Sequence, residues 1–316
     1  PRTFDFEGVA GDDIAYHLVR LLDDPRVRSL KKERALELIG VHKKRLCEYA
    51  CVQRNFEVLK WAHNELDLPW VRYPAGHVND DVLVLRMLRE AWPLKQYWRV
   101  DVGPKKWRGV TMVDGRVVKL ELMQMGLTGA VPAVIGQLTS LMQLGLGGNQ
   151  VTSVPAEIGQ LTSLKELHLW RNQLTSVPPE IGQLTSLRQL HLGTNQLTSL
   201  PAEIGQLTSL DKLYLNRNQL TSLPAEIGQL ASLRDLDLRG NQLTSLPAEI
   251  GQLTSLTQLY LGGNRLTSLP PEIGQLTSLR WLSLNRNQLT SLPAAIRELI
   301  AAGCQELLDP GVTFDE

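Results

Sequence analysis

Two histidines, His168 and His191, recur 23 residues apart, and Glu166 precedes the first by two positions. Imidazoles on neighbouring strands beside a carboxylate are metal-ligand chemistry. Zinc needs four donors in a tetrahedral array, however, and this set stops short of four. Cys47 and Cys51 stand four apart on one face of an expected helix, with His42 and His63 near in sequence. No second close pair follows to complete a zinc site, and the alternative is a helix that packs its cysteines inward. The sequence contains no G-x-x-x-x-G-K-[S/T] phosphate loop, no H-E-x-x-H and no G-x-S-x-G. No residue set forms a catalytic constellation. The expectation is a chain that is not an enzyme and uses no metal or cofactor.

Recognition chemistry is better represented. His168, Trp170, His191, Tyr214, Tyr260 and Trp281 fall at equivalent places of a repeating frame, with Asn216 and Asp237 among them. Arg171, Arg217, Arg239 and Arg286 stand near the rim of the same surface. Aromatic and arginine side chains dominate the energetics of protein interfaces. Exposed aromatics aligned in one row mark an interaction patch, against the alternative that they are tolerated surface variety.

The elements that hold these residues are set by seven asparagines at a 23-residue step: Asn149, Asn172, Asn195, Asn218, Asn241, Asn264 and Asn287. Around them the frame L-x-x-L-x-L-x-x-N-x-[L/V]-T-S-[L/V]-P-x-x-I-G-Q-L-x-S returns almost unchanged. A fixed period in the twenties predicts a solenoid, in which each coil buries its apolar face against its neighbours. In the unit from Leu164, the residues Leu164, Leu167 and Leu169 alternate with polar ones and point inward from a short parallel strand. Asn172 then bonds backbone groups that would otherwise be buried and unpaired. Leu174, Val177, Ile181 and Leu184 complete the core from a return segment, where Pro178 and Gly182 suit an irregular or briefly helical path.

Units compared within the chain separate frame from payload. The return LTSLPAEIGQLTSL is identical at 197–210 and 243–256, whereas the central outward column reads Glu121, Gly145, His168, His191, Tyr214, Asp237, Tyr260, Ser283. Eight parallel strands about 4.8 Å apart make a surface roughly 35 Å long, which suits a protein or extended peptide better than a metabolite. The Glu157, Glu180, Glu203, Glu226, Glu249 and Glu272 column on the return side reads as a solvated face copied by duplication.

This pattern resembles the leucine-rich repeat family over about residues 117–302, and the L-P-x-x-I-G-x-L return is most similar to its intracellular Ras-group members. The resemblance implies an α/β solenoid with a curved parallel sheet on the concave face and an irregular, short-helical convex side. The first unit departs: Val117, Leu120, Leu122, Met125, Leu127, Val131, Pro132 and Ile135 fit a plant-type repeat of 24 residues, with Met125 in the asparagine slot. Trp107 to Val110 and Gly115 to Val117 resemble the lead-in of plant-type arrays without its paired cysteines.

Outside the array, 1–105 is expected to be a small all-α domain, 106–116 a linker and cap, and 303–316 a C-terminal cap and tail. Helices are expected through Ile14 to Leu22, Leu36 to Cys51, Phe56 to Leu66, and from Asp80 to Trp92. Tyr49 to Trp70 resembles a single ankyrin-type helix pair. At the far end, 294–302 reads as a helix with Ile296, Leu299 and Ile300 on one face, ended by Gly303. Cys304, Leu307 and Leu308 are expected to cover the last edge.

Formal net charge is zero, so nothing global draws the chain to nucleic acid. The basic stretch from Arg26 to Arg45 lacks interleaved aromatics and reads as a solvated face. No apolar run reaches the length of a bilayer span. Three cysteines, no disulfide clusters and no Asn-x-Ser/Thr site favour a reducing, cytoplasmic compartment. The function expected is a non-enzymatic scaffold that binds a protein partner on its concave face; the sequence sets no oligomeric state. The rivals are a structural subunit of a large assembly and a receptor for a microbial or glycan ligand.

Overall fold

The computed structural model describes residues 80–99 and 103–315. The first three expected helices, the ankyrin-like pair, the Cys47 and Cys51 pair and the basic stretch 26–45 lie outside the described residues. The fourth helix is found as α1, Asp80–Ala91, and Pro93 follows its end. Its Leu85 and Leu88 are fully buried, as are Leu94 and Trp98 beyond it. Trp98 stacks on Trp107 with ring centroids 4.9 Å apart. The two indole N–H groups donate to Arg108 O and Arg99 O, so each large ring keeps its polar edge satisfied.

A hairpin closes the first edge. Strands β1 (Val110–Val113) and β2 (Arg116–Glu121) pair antiparallel around Asp114 and Gly115, whose φ angles are +48° and +81°. Both central residues of a two-residue hairpin turn need positive φ, which the Asp-Gly pair supplies. From β2 the sheet continues in parallel through β4 (Gln143–Gly145), β6 (Glu166–His168), β7 (Gln189–His191), β8 (Lys212–Tyr214), β9 (Asp235–Asp237), β10 (Gln258–Tyr260) and β11 (Trp281–Ser283), while β3 (Thr128–Ala130) and β5 (Gln150–Ser153) pair in a sheet of their own. Each strand pairs with the equivalent residues of the next coil, as Leu167 does with Leu190 and Leu190 with Leu213. The middle leucine of every such strand is buried.

Return segments run through one short 3-10 turn per coil, such as Ala202–Gln206, preceded by an extended proline. The turns stack closely because glycine faces the next coil. A Cβ on Gly205 would stand 2.5 Å from Glu226 O, closer than any real contact.

The asparagines bind coil to coil. Asn172 donates from Nδ2 to Leu146 O and Leu169 O, both at 3.0 Å, and accepts Val151 N–H at 3.0 Å. Two of these three partners belong to the preceding coil. The same bonds recur at Asn195, Asn218, Asn241 and Asn264. In the first unit Met125 fills the asparagine slot as a buried side chain, and its N–H donates to Asn149 Oδ1. At the other end Asn287 N–H donates to Asp309 Oδ2 at 3.2 Å.

The C-terminal cap differs in part from expectation. Helix α2, Ala295–Ala301, buries Ile296 and Leu299, Gly303 follows at φ +97°, and Cys304 is buried. Leu307 does not cover the edge: it is 47 % exposed. After β12 (Ser291–Leu292), residues Gln305–Leu307 form β13 and extend the sheet beside β11, and the pairing of Ser283 with Leu307 sets that leucine in the outward column.

Candidate binding surface

Strand register places the expected row on one face. His168 pairs with His191, His191 with Tyr214, Tyr214 with Asp237, Asp237 with Tyr260 and Tyr260 with Ser283. The rings of His168 and His191 lie 4.4 Å apart, and those of His191 and Tyr214 4.5 Å apart. Burial, with the neighbouring His168 and Lys212, lowers the His191 pKa to about 4. Glu166 Oε2 lies 3.4 Å from His168 Nε2. Among the described residues no three His, Cys, Asp or Glu side chains converge as a metal site.

Beyond the stacked rings the face becomes a hydrogen-bonded cluster. Tyr214 Oη donates to Asp235 Oδ2 at 2.7 Å, while Asp235 Oδ1 is buried without a partner. Burial, with the Asp237 charge beside it, raises the Asp235 carboxyl above the usual range against the opposing Tyr214 hydrogen bond. Asp237 holds Arg239 through Nε at 2.9 Å and Nη2 at 2.6 Å, and accepts the Arg239 N–H at 3.1 Å. The guanidinium lies over the Tyr260 ring, 4.7 Å from its centroid. Asp237 is only 3 % exposed, so it positions Arg239 and presents little surface of its own.

The next column follows a rule the sequence reading missed. Trp170, Asn216 and Asn285 each lean back onto a glycine of the preceding coil: a Cβ on Gly147, Gly193 or Gly262 would meet them at 2.4, 2.4 and 2.7 Å. The signal was present as a glycine 23 residues before each of these large side chains. Arg171 covers the Trp170 ring at 5.7 Å.

One position further, every coil turns through left-handed backbone: Gln124 at φ +56°, Gly148 at +68°, Arg171 at +50°, Thr194 at +58°, Arg217 at +55°, Gly240 at +67°, Gly263 at +70° and Arg286 at +57°. Only glycine adopts this region freely; an L side chain costs about 1–2 kcal/mol there.

The charges are segregated. The outward strand positions and the columns flanking them carry Lys119, Lys165, Arg171, Arg188, Lys212, Arg217, Arg234, Arg239, Arg280 and Arg286 against Glu121, Glu166, Asp211, Asp235 and Asp237. Three of those carboxylates are already ion-paired, with Lys119, Arg234 and Arg239. The 3-10 turns on the return side carry the six repeated glutamates instead.

A family profile described as leucine-rich repeat region matches residues 115–218 and 213–301, more than half of the sequence. The chain belongs to the leucine-rich repeat family. Among solved structures, this leucine-rich repeat chain is similar to a leucine-rich repeat protein of Leptospira interrogans, at 42% identity and TM-score 0.54 over 63% of this chain and 56% of that one. The ectodomain of the Arabidopsis receptor kinase HAESA, in complex with a peptide hormone ligand, matches at 31% identity and TM-score 0.65, over 75% and 42% of the two chains. A plant ice-binding protein matches at 28% identity and TM-score 0.60, over 76% and 78%. No curated protein matches. The chain thus covers about half or less of the length of the first two structures. The solved structures that share this fold include a receptor ectodomain with a peptide hormone and an ice-binding protein, so the fold alone does not fix the ligand. Among the described residues no helix is long and apolar enough to cross a membrane.

Proposed function

We propose that this chain is a non-enzymatic binding module and that its strand-bearing concave face recognises a protein partner in extended form. The observation behind this reading is the outward row from His168 to Tyr260, with Trp281 in the column beside it, in which rings and arginines vary from coil to coil over an almost constant frame. Kinship with a receptor ectodomain that holds a peptide hormone supports it. Array 117–302 is the recognition unit, and 1–105 is a helical domain that accompanies it in a reducing compartment.

The test must spare residues that also hold the fold. Arg239 neutralises the buried Asp237, and Tyr214 supplies a donor to Asp235, so changes at either lower stability as well as binding. Trp170→Ala, Tyr260→Ala and Trp281→Ala combined should keep the melting temperature and abolish capture of partners from a cell extract. Capture by the variant equal to wild type would move the site off this face.

A second reading has one observation of its own. Thr152, Thr175, Thr198, Thr221, Thr244, Thr267 and Thr290 repeat at coil spacing and are all exposed. An uncharged column of identical hydroxyls suits a ligand with its own fixed period, and the similar plant protein binds ice. Inhibition of ice recrystallisation by wild type, lost in Thr221→Lys/Thr244→Lys, would favour this reading; inactive wild-type protein removes it.

A further inference from the structure

The left-handed column is where the chain departs from its own best residue. Gly148, Gly240 and Gly263 fit this backbone without strain, yet Arg171, Arg217 and Arg286 keep arginine at nearly the same φ. Those three side chains are exposed, and among the described residues none meets a carboxylate in an ion pair. Residues held against backbone preference, with no carboxylate paired to them, mark sites where a ligand can use them. The surroundings agree. The strand face and its flanks hold ten basic and five acidic residues, three of the latter already paired, although the whole chain is formally neutral.

Resting on the reading of this face as the binding surface, we infer that its partner is an acidic, extended polypeptide segment whose carboxylates meet Arg171, Arg217 and Arg286. A guanidinium presents two parallel N–H donors that match a carboxylate, so three arginines on a rigid frame read position as well as charge. Their coils are two and then three steps apart, or about 10 and 14 Å at the usual strand spacing. An extended chain covers those distances in about three and about four residues. Acidic side chains at such intervals, separated by neutral ones, satisfy all three arginines. A nucleic acid suits the face less, because Glu166, Asp235 and Asp237 share it and oppose a phosphate on every nucleotide.

The chain supplies its own control, since glycine stands at this turn in three other coils, at Gly148, Gly240 and Gly263. Arg171→Gly/Arg217→Gly/Arg286→Gly should leave the melting temperature unchanged or higher while removing three charges. A phage-displayed library of random 12-residue peptides is panned on wild type, on this variant, and on Trp170→Ala/Tyr260→Ala/Trp281→Ala. We expect wild type to enrich Asp and Glu at intervals of three to four residues. A selected peptide should bind the glycine variant at least tenfold more weakly, and should weaken as salt rises. Enrichment of neutral peptides that depend on the aromatic residues would overturn the acidic partner and leave the binding face standing. Peptides indifferent to both variants overturn the two together. Absence of any enriched peptide overturns the acidic segment. So does salt-sensitive self-association of wild type that the glycine variant abolishes, since a second copy's glutamate column would then be the occupant. A 12-mer of deoxythymidine that outcompetes the selected peptide does the same.

Discussion

The strand face and the return face of the array stand on one frame and have opposite histories. On the return side the Thr-Ser pair, the proline, the glutamate and the Ile-Gly pair repeat with little change from coil to coil. Across the sheet, equivalent outward positions hold Lys, Gln, His, Tyr, Asp, Trp or Gly. Part of the constancy has a steric cause: residue 226 sets its Cβ and carbonyl against Gly205, so that glycine cannot take a side chain. The contrast teaches that copies in this chain drifted where a side chain points outward over a strand, and stayed on the return side even where, as at Thr221, the side chain is exposed.

Substitutions can break or sharpen that contrast, read as unfolding free energies in urea. The frame should answer most: Leu213→Ala should cost about 2–5 kcal/mol, since a cavity opens among fully buried leucines. Asn218→Leu should cost about 1–3 kcal/mol, because Leu197 N–H, Leu192 O and Leu215 O lose a buried partner. Next comes acidity. Unfolded chains protonate histidine near pH 6.5, whereas His191 in the fold stays neutral until about pH 4. Its contribution is therefore complete above pH 6.5 and is lost progressively as pH falls toward 4. His191→Gln should flatten this part of a stability–pH curve. Arg217→Gly should leave stability unchanged or raise it by up to about 1 kcal/mol by relieving the left-handed turn. Smallest of all, Thr221→Ala on the return face should stay within about 0.5 kcal/mol. A larger loss there would show that the threonine column belongs to the frame, and would erase the distinction between the faces at that position.

Most of the fold was legible because it rests on periodicity. The 23-residue step located the strands, the asparagine bonds and the 24-residue first unit, down to Met125 in its slot. Outward columns could be read too, since alternation along a three-residue strand leaves no choice of face. What each outward residue does there was not legible. Asp237 and Arg239 stand two apart in sequence like any strand pair, and only coordinates show the aspartate buried under a bidentate guanidinium. The glycine before each leaning side chain was visible but uninterpretable without knowing which way Trp170 points. At the C-terminus, Leu307 was expected to cover the edge; strand β13 has no repeat frame to announce it, and its register turned that leucine outward.

Each asparagine amide bridges its own coil and the one before it, and Asp309 accepts the backbone N–H of the last of them. Length is consequently a free variable of this architecture. Removing 198–220, one whole period, joins two ends that already expect the same neighbour, and adding a period asks nothing new of either cap. The strand face can therefore be lengthened or shortened in steps of one strand spacing, without redesign of anything that keeps it folded.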